Sequence, residues 1–192
     1  MHHTIRLSQM RIGVDLDGVV ADFTHGWTSQ YKKDFGKEIL EKDITEWGLS
    51  KPLTHFEEEI DFWNWAKDFN GSSIFRNLRT YDNAVKVLVE LSMEGHEIVI
   101  LSSKPWWSIQ ETLIWLGENK IPSKEIHFIE DKWNINCDVY IDDAPHQLEN
   151  FVKHVPEKLI LRFVRPYNRP VSGTKDLNDW MELSSLLESY NL

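Results

Sequence analysis

Two aspartates one residue apart, Asp15 and Asp17, close the run RIGVDLDG and set two carboxylates side by side ahead of Gly18. Further polar groups follow other apolar runs: Ser102 and Ser103 after HEIVIL, Asp131 and Lys132 beyond IHFI, and Asp142 and Asp143 after DVYI. If they meet, the carboxylates of Asp15, Asp17, Asp142 and Asp143 repel, and each has its pKa raised unless positive charge sits among them. A divalent cation supplies that charge. With only oxygen donors at these positions, and neither His nor Cys, a hard ion such as Mg²⁺ fits, and Mg²⁺ completes its shell with water and a substrate phosphate. Lys132 adds a point charge and Ser102 a hydroxyl donor, so acid, metal, cation and donor together describe a phosphate site.

What would bring these residues together is the order of the elements. The apolar runs RIGV, HEIVIL, IHFI, DVYI and KLILRF are short, β-branched or aromatic and bounded by polar residues, as buried parallel strands are. Between them, YDNAVKVLVELSMEG, SIQETLIWLGENK and PHQLENFVKHV carry apolar residues at helical spacing. Strands alternating with helices predict an α/β fold, a Rossmann-like and mostly parallel sheet with helices on both faces. In such sheets ligands bind beyond the carboxyl ends of the strands, where all of these polar groups lie.

One segment breaks the alternation. From Thr24 to Arg79 the chain runs far longer than a crossover needs, and YKKDFGKEILEKDITEWG and PLTHFEEEIDFWNWAKDF within it read as helices. We read residues 23–79 as a small helical cap inserted after the first strand, and residues 1–22 and 80–192 as the α/β core. The cap is rich in rings: Trp27, Phe35, Trp47, Phe56, Phe62, Trp63, Trp65, Phe69 and Phe75.

Composition narrows the function classes. At 192 residues the chain is long enough to bury a core without staples, and its one cysteine, Cys137, excludes an intramolecular disulfide and any Cys-rich zinc site. A net charge of −10 argues against affinity for duplex nucleic acid, which needs a basic face, but not against a small phosphorylated substrate bound through a metal. No apolar segment is long enough to span a bilayer, and MHHTIRLSQM has no signal-peptide core, so a cytoplasmic protein is the expectation. The sequence does not fix the oligomeric state and leaves a homodimer open.

The motifs DLDGVVAD, ILSS, EDK and YIDD, in that order, resemble the haloacid dehalogenase (HAD) superfamily of phosphotransferases. Within it, DLDGVVADF, LSSKP, EDK, IDDAP and FRNLRTYDNAV are most similar to the 5′(3′)-deoxyribonucleotidase family. The resemblance implies a Mg²⁺-dependent phosphomonoesterase whose partner is a small phosphomonoester, a nucleoside monophosphate. It implies roles residue by residue. Asp15 is the nucleophile and forms an aspartyl-phosphate, and Asp17 is the acid and then the base. Ser102, Ser103 and Lys132 bind phosphate. Asp15, Asp17, Asp142 and Asp143 serve the metal, Asp17 turning back with its backbone carbonyl free to face it, and Asp143 favoured over Asp142 as direct ligand. Phe23 packs against the base.

Plainer roles compete for several of these residues. Ser103 is a turn residue whose amide could touch phosphate, and Asp22 caps or flanks the next helix. Lys104 competes with Lys132 for the phosphate, with motif order favouring Lys132. FWNW is packing before it is ligand, HFEEEID a solvated face, Trp106 and Trp107 an entrance rim or a helix anchor. The scattered histidines are surface or core residues. Rival functions are C–halogen hydrolysis, disfavoured by Asp17, hydrolysis of another small phosphorylated metabolite, a receiver-like signalling module, whose acids come in another order, and an idle nucleotide binder.

Overall fold

The computed structural model describes residues 9–48, 53–68 and 71–190. Six parallel strands, β1 (Arg11–Val14), β2 (Glu97–Ser102), β3 (Glu125–Phe128), β4 (Val139–Asp142), β5 (Leu159–Phe163) and β6 (Lys175–Leu177), form one sheet in the order β3-β2-β1-β4-β5-β6. β1 lies between β2 and β4, with Ile12 level with Ile98 on one side and Val139 on the other. The chain walks outward from β1 to β3, then returns to the far side of β1 with β4. That reversal opens a crevice at the carboxyl ends of β1 and β4.

The strand residues alternate between two cores, as period-two geometry requires. Ile98, Ile100, Val139, Ile141, Leu159 and Leu161 face the larger one, with α3 (Ala84–Met93) and α6 (Leu183–Tyr190). Val99, Leu101, Tyr140 and Ile160 face the smaller one, with Leu148 and Phe151 of α5 (Pro145–His154). Each aliphatic side chain fully buried there contributes on the order of 1.5–3 kcal/mol. Both faces of the sheet are covered, so the strands read as unbroken apolar runs. All five expected strands form. β6 and α6 were not expected: β6 is three residues, KDL, with no apolar run to mark it.

The helices between β1 and α3 differ from the sequence expectation. Helix α1 (Phe23–Phe35) starts earlier, because Asp22 accepts a hydrogen bond from the His25 amide at 3.1 Å and so acts as its cap. It buries Thr24, Trp27, Thr28 and Tyr31, one stripe at helical spacing, and ends at Gly36, whose φ of 71° suits glycine. The expected helix over residues 31–48 therefore stops after one turn, and only a short 3₁₀ turn at Glu41–Asp43 follows. Likewise α2 is confined to Glu59–Lys67, opened by a reciprocal capping box between Glu58 and Asp61, with Phe62 and Ala66 buried. Phe69 of the aromatic set, and the amino-terminal stretch as far as Ser8, lie outside the described residues. Helix α4 (Ile109–Glu118) completes the element order.

Candidate active site

The amide of Asp15 donates to the carbonyl of Ile141 at 3.0 Å, carrying the β1–β4 ladder one residue past the strand. That bond fixes Asp15 beside Asp142. Lys132, in a 3₁₀ turn after β3, reaches beneath them: its Nζ donates to Asp15 Oδ1 at 2.8 Å and to Asp142 Oδ2 at 2.6 Å. Asp142 is fully engaged, since its Oδ1 accepts from the Ala144 amide at 2.9 Å. Asp143 is not. Its Oδ2 accepts from the Tyr167 hydroxyl at 2.5 Å, while its Oδ1 is buried and has no hydrogen-bond partner among the described residues.

Two carboxylates thus share one ammonium, with a third, that of Asp143, close beside them in a buried volume. Desolvation pushes the Asp15 carboxyl up to about 6, with Lys132 opposing and Asp142 adding to the rise. Asp143 rises well above the usual carboxylate range through burial and the charges of Asp15 and Asp142. Burial works to lower the Lys132 ammonium, but Asp142 and Asp15 outweigh it and hold it above its ordinary value, so it stays charged. The cluster remains short of positive charge. Oxygens of Asp15, Asp142 and Asp143 lie within 4.8 Å of one another, a spread one small cation could draw together. All-oxygen donors and the unpartnered Asp143 Oδ1 fit a hard divalent ion.

Asp17 belongs to a second pair. The loop turns back on itself, with the amides of Val20 and Ala21 both donating to the Leu16 carbonyl, and Gly18 takes φ 80° within it. A side chain at Gly18 would run into the Asp143 carboxylate and the Tyr167 hydroxyl, so glycine is required for space as well as for φ. The turn sends the Asp17 carboxylate away from the three-acid cluster to Lys104 Nζ at 2.7 Å. The Asp17 carboxylate therefore pairs with Lys104 and lies outside the three-acid cluster of Asp15, Asp142 and Asp143. Desolvation raises the Asp17 carboxyl, with Lys104 opposing, and lowers the Lys104 ammonium, with Asp17 opposing.

A cavity of about 250 Å³ opens above these groups. Asp15, Asp17, Ser102, Ser103, Lys132 and Asp143 line its floor, and Lys132 ties that floor to Asp142. Phe23, at the start of α1, forms the wall with Trp63 and Phe75. Its ring lies 5.5 Å from Phe75 at 14° and 6.2 Å from Trp63 at 25°. Lys104 joins the two halves: its ammonium is 3.8 Å from the Phe75 ring centroid. Lys104 thus pairs with Asp17, and Lys132 with Asp15 and Asp142.

Other expectations divide. Trp106 is 78% exposed, whereas Trp107 packs on Trp63 and Phe75. The acidic run is solvated at Glu57, Glu58 and Glu59, as expected, and the exposed Glu59 also borders the cavity and accepts from Trp63 Nε1 at 2.9 Å. His146 lines the cavity beside Trp47, because α5 begins at the floor. The sequence reading missed Arg165, Tyr167 and Asn168 entirely. They follow KLILRF, so the strand-end rule that found the other groups, applied to this fifth run, would have found them too.

The chain is similar to proteins already known. The family model for "5′ nucleotidase, deoxy (Pyrimidine), cytosolic type C protein" matches residues 9–190. A 5′(3′)-deoxyribonucleotidase of Bacillus subtilis is 26% identical over 183 residues, spanning 92% of this chain and 97% of that protein. One from Clostridium acetobutylicum is 26% identical over 194 residues, spanning 95% and 97%. Among solved structures, a HAD family hydrolase from Deinococcus radiodurans superposes with a TM-score of 0.62 at 14% identity, over 97% of this chain and 98% of that one. A dehalogenase solved as an intermediate complex gives a TM-score of 0.60 at 14% identity, over 93% and 97%. At such identities the structures establish the fold alone, and a dehalogenase shares it. The family model, which covers nearly the whole chain, distinguishes among the chemistries: this chain belongs to the 5′ nucleotidase, deoxy (pyrimidine), cytosolic type C family of the HAD superfamily and is a phosphoric monoester hydrolase.

Proposed function

We propose that this enzyme hydrolyses nucleoside monophosphates, 5′(3′)-deoxyribonucleotides above all, in a Mg²⁺-dependent reaction through an aspartyl-phosphate on Asp15. One observation carries the reading: a single cavity has an acid–lysine floor suited to a phosphoryl group and a wall of near-parallel rings suited to a base. Residues 23–79 act as the cap that supplies most of the wall, over a core of residues 1–22 and 80–192. The relatives in B. subtilis and C. acetobutylicum bear the deoxyribonucleotidase name, which supports the substrate assignment.

In this mechanism a carboxylate oxygen of Asp15 bonds to phosphorus as the ester bond to the sugar oxygen breaks. Asp17, whose carboxyl burial pushes up, gives its proton to the departing oxygen. It then takes a proton from the water that attacks the phosphorus of the aspartyl-phosphate, so that inorganic phosphate leaves and Asp15 is restored. Lys104 holds Asp17 in place for both steps. Ser102, Ser103 and Lys132 hold phosphoryl oxygens, and Lys132 also offsets the charge of Asp15. Asp15 and Asp143 would hold the metal through their carboxylates, Asp17 through its backbone carbonyl, and Asp142 would support it from behind. When bound, Mg²⁺ supplies the positive charge that lets an anionic phosphoryl group approach an anionic nucleophile. Stacking on Phe23, Trp63 and Phe75 is worth about 1–3 kcal/mol per base.

The test is phosphate release from a panel of deoxyribonucleotides, ribonucleotides and sugar phosphates, with Mg²⁺ and with chelator. The expected result is Mg²⁺-dependent release, fastest from deoxyribonucleotides. Turnover confined to sugar phosphates would defeat the substrate assignment, and undiminished turnover in chelator would defeat the metal.

A further inference from the structure

The chain just past β5 makes an unusual number of contacts to the catalytic edge. The Tyr167 hydroxyl donates to Asp143 Oδ2 at 2.5 Å, and Asn168 Nδ2 donates to the Asp143 carbonyl at 2.8 Å and to the Phe163 carbonyl at 2.8 Å. Asp143 is thereby gripped at side chain and backbone by adjacent residues. Those residues are anchored in turn. Arg162, buried on β5, donates to Asn168 Oδ1 at 3.1 Å and to its carbonyl at 3.0 Å, while its other arms hold Asp176 of β6 at 2.7–2.8 Å. Arg165 Nε donates to the Gly18 carbonyl at 2.6 Å, its guanidinium stacked 3.6 Å from the Tyr81 ring centroid and 4.3 Å from that of Phe163. The segment therefore braces both the loop bearing Asp17 and the carboxylate of Asp143.

The consequence falls on the two oxygens of Asp143. A free carboxylate on a short side chain can rotate and offer either oxygen. Here rotation would cost the Tyr167 bond, and Gly18 packs so tightly against Oδ2 and the hydroxyl that the pair has little room to move. The Tyr167 ring is itself backed by Trp47, centroids 5.6 Å apart. From this geometry, and on the reading above that Asp143 serves the metal, we propose that Tyr167 is a positioning residue: its hydroxyl ties down Oδ2 so that Oδ1 is the oxygen presented to the cation. Partners that orient a metal-ligating side chain in this way typically change metal affinity 10- to 100-fold when removed.

The test is Tyr167→Phe, which keeps the ring and its packing and deletes one oxygen. Calorimetric titration with Mg²⁺ or Mn²⁺, without substrate, compares it with the unaltered chain. Metal binding is expected to weaken about 10-fold. The concentration of Mg²⁺ for half-maximal turnover should rise in step, while the KM for nucleotide at saturating Mg²⁺ stays within about twofold. The metal-free melting temperature checks that the fold is retained, and its increment on adding Mg²⁺, expected to shrink, gives a second measure of the same affinity. Unchanged metal affinity in Y167F would overturn the proposal, as would a raised nucleotide KM with metal affinity intact, because Tyr167 would then act on the substrate. No metal binding by the unaltered chain would instead sink the function proposed above and this inference with it.

Discussion

On the floor of the cavity, residues from three strand ends meet through hydrogen bonds of 2.6–2.9 Å, whereas its wall is assembled from α1, α2 and the stretch before α3 by rings 5.5–6.4 Å apart. The floor is specified by identity. An Asp that follows β1 by one residue and an Asp that ends β4 must adjoin, because the two strands are paired and parallel. The wall is specified by shape, and many combinations of Phe and Trp would fill the same space. On the proposed function, chemistry is held where the backbone ladder fixes position, and substrate fit where packing can vary. Substitutions on the floor should change kcat and metal use; those on the wall should change KM and substrate choice.

The largest break in that comparison comes from Asp143→Asn. Phosphate release should fall by about 10³-fold or more, with loss of metal binding in calorimetry. Lys132→Met should follow, abolishing most turnover and also destabilising the metal-free protein by about 3–5 kcal/mol, because the buried carboxylates of Asp15 and Asp142 lose their shared ammonium; denaturant titration at neutral pH reads the change. On the wall, Phe23→Ala should raise the KM for nucleotides by about 10- to 100-fold while altering turnover of a phosphate ester without a base much less. A raised requirement for Mg²⁺ in that variant would contradict the division between floor and wall.

The smallest effect is on stability against pH. The folded-state Asp15 carboxyl is raised from 3.8 to about 6, and that of Asp143 is raised as well, so the folded chain binds protons there that the unfolded chain has lost. Stability then falls as pH rises through the window from about 4 to 6. Glu125, held down to about 2 by Arg11 and His127, gives the opposite slope below its ordinary value of 4.5, and His96 and His146, both lowered by burial, give a smaller opposing slope below their ordinary value of 6.5. In chelator, the melting temperature should therefore rise by a few degrees between pH 7 and pH 5, and saturating Mg²⁺ should remove that rise. A metal-free protein that loses stability on acidification over the same interval would show that Asp15 and Asp143 are not the dominant titrating groups.

How far each region could be read from sequence follows from the same difference. Asp15, Ser102, Lys132, Asp142 and Asp143 were legible because an apolar run announces a strand and the parallel-sheet rule places its end. Asp17 was legible as a residue but not as a contact, since its partner Lys104 depends on how the Gly18 turn redirects the carboxylate. The helices of residues 23–79 were misplaced by about a turn or more, although Asp22 was read as a cap: the stop at Gly36 was a weaker signal than the apolar residues further along. Which rings would stack could not be read at all, because Phe23, Trp63 and Phe75 come from three separate elements. Tyr167 and Asn168 lay within reach of the strand-end rule, yet neither type announces chemistry in the way paired acids do.

The central claim is that Asp15 carries the phosphoryl group. Rapid quenching of the enzyme during turnover of a deoxyribonucleoside monophosphate in Mg²⁺, followed by peptide mass analysis, tests it directly. The peptide containing Asp15 should gain the mass of one phosphoryl group, removable by hydroxylamine, and Asp15→Asn should yield neither the adduct nor phosphate. An adduct on another residue, or full turnover by the Asp15→Asn variant, would contradict the account.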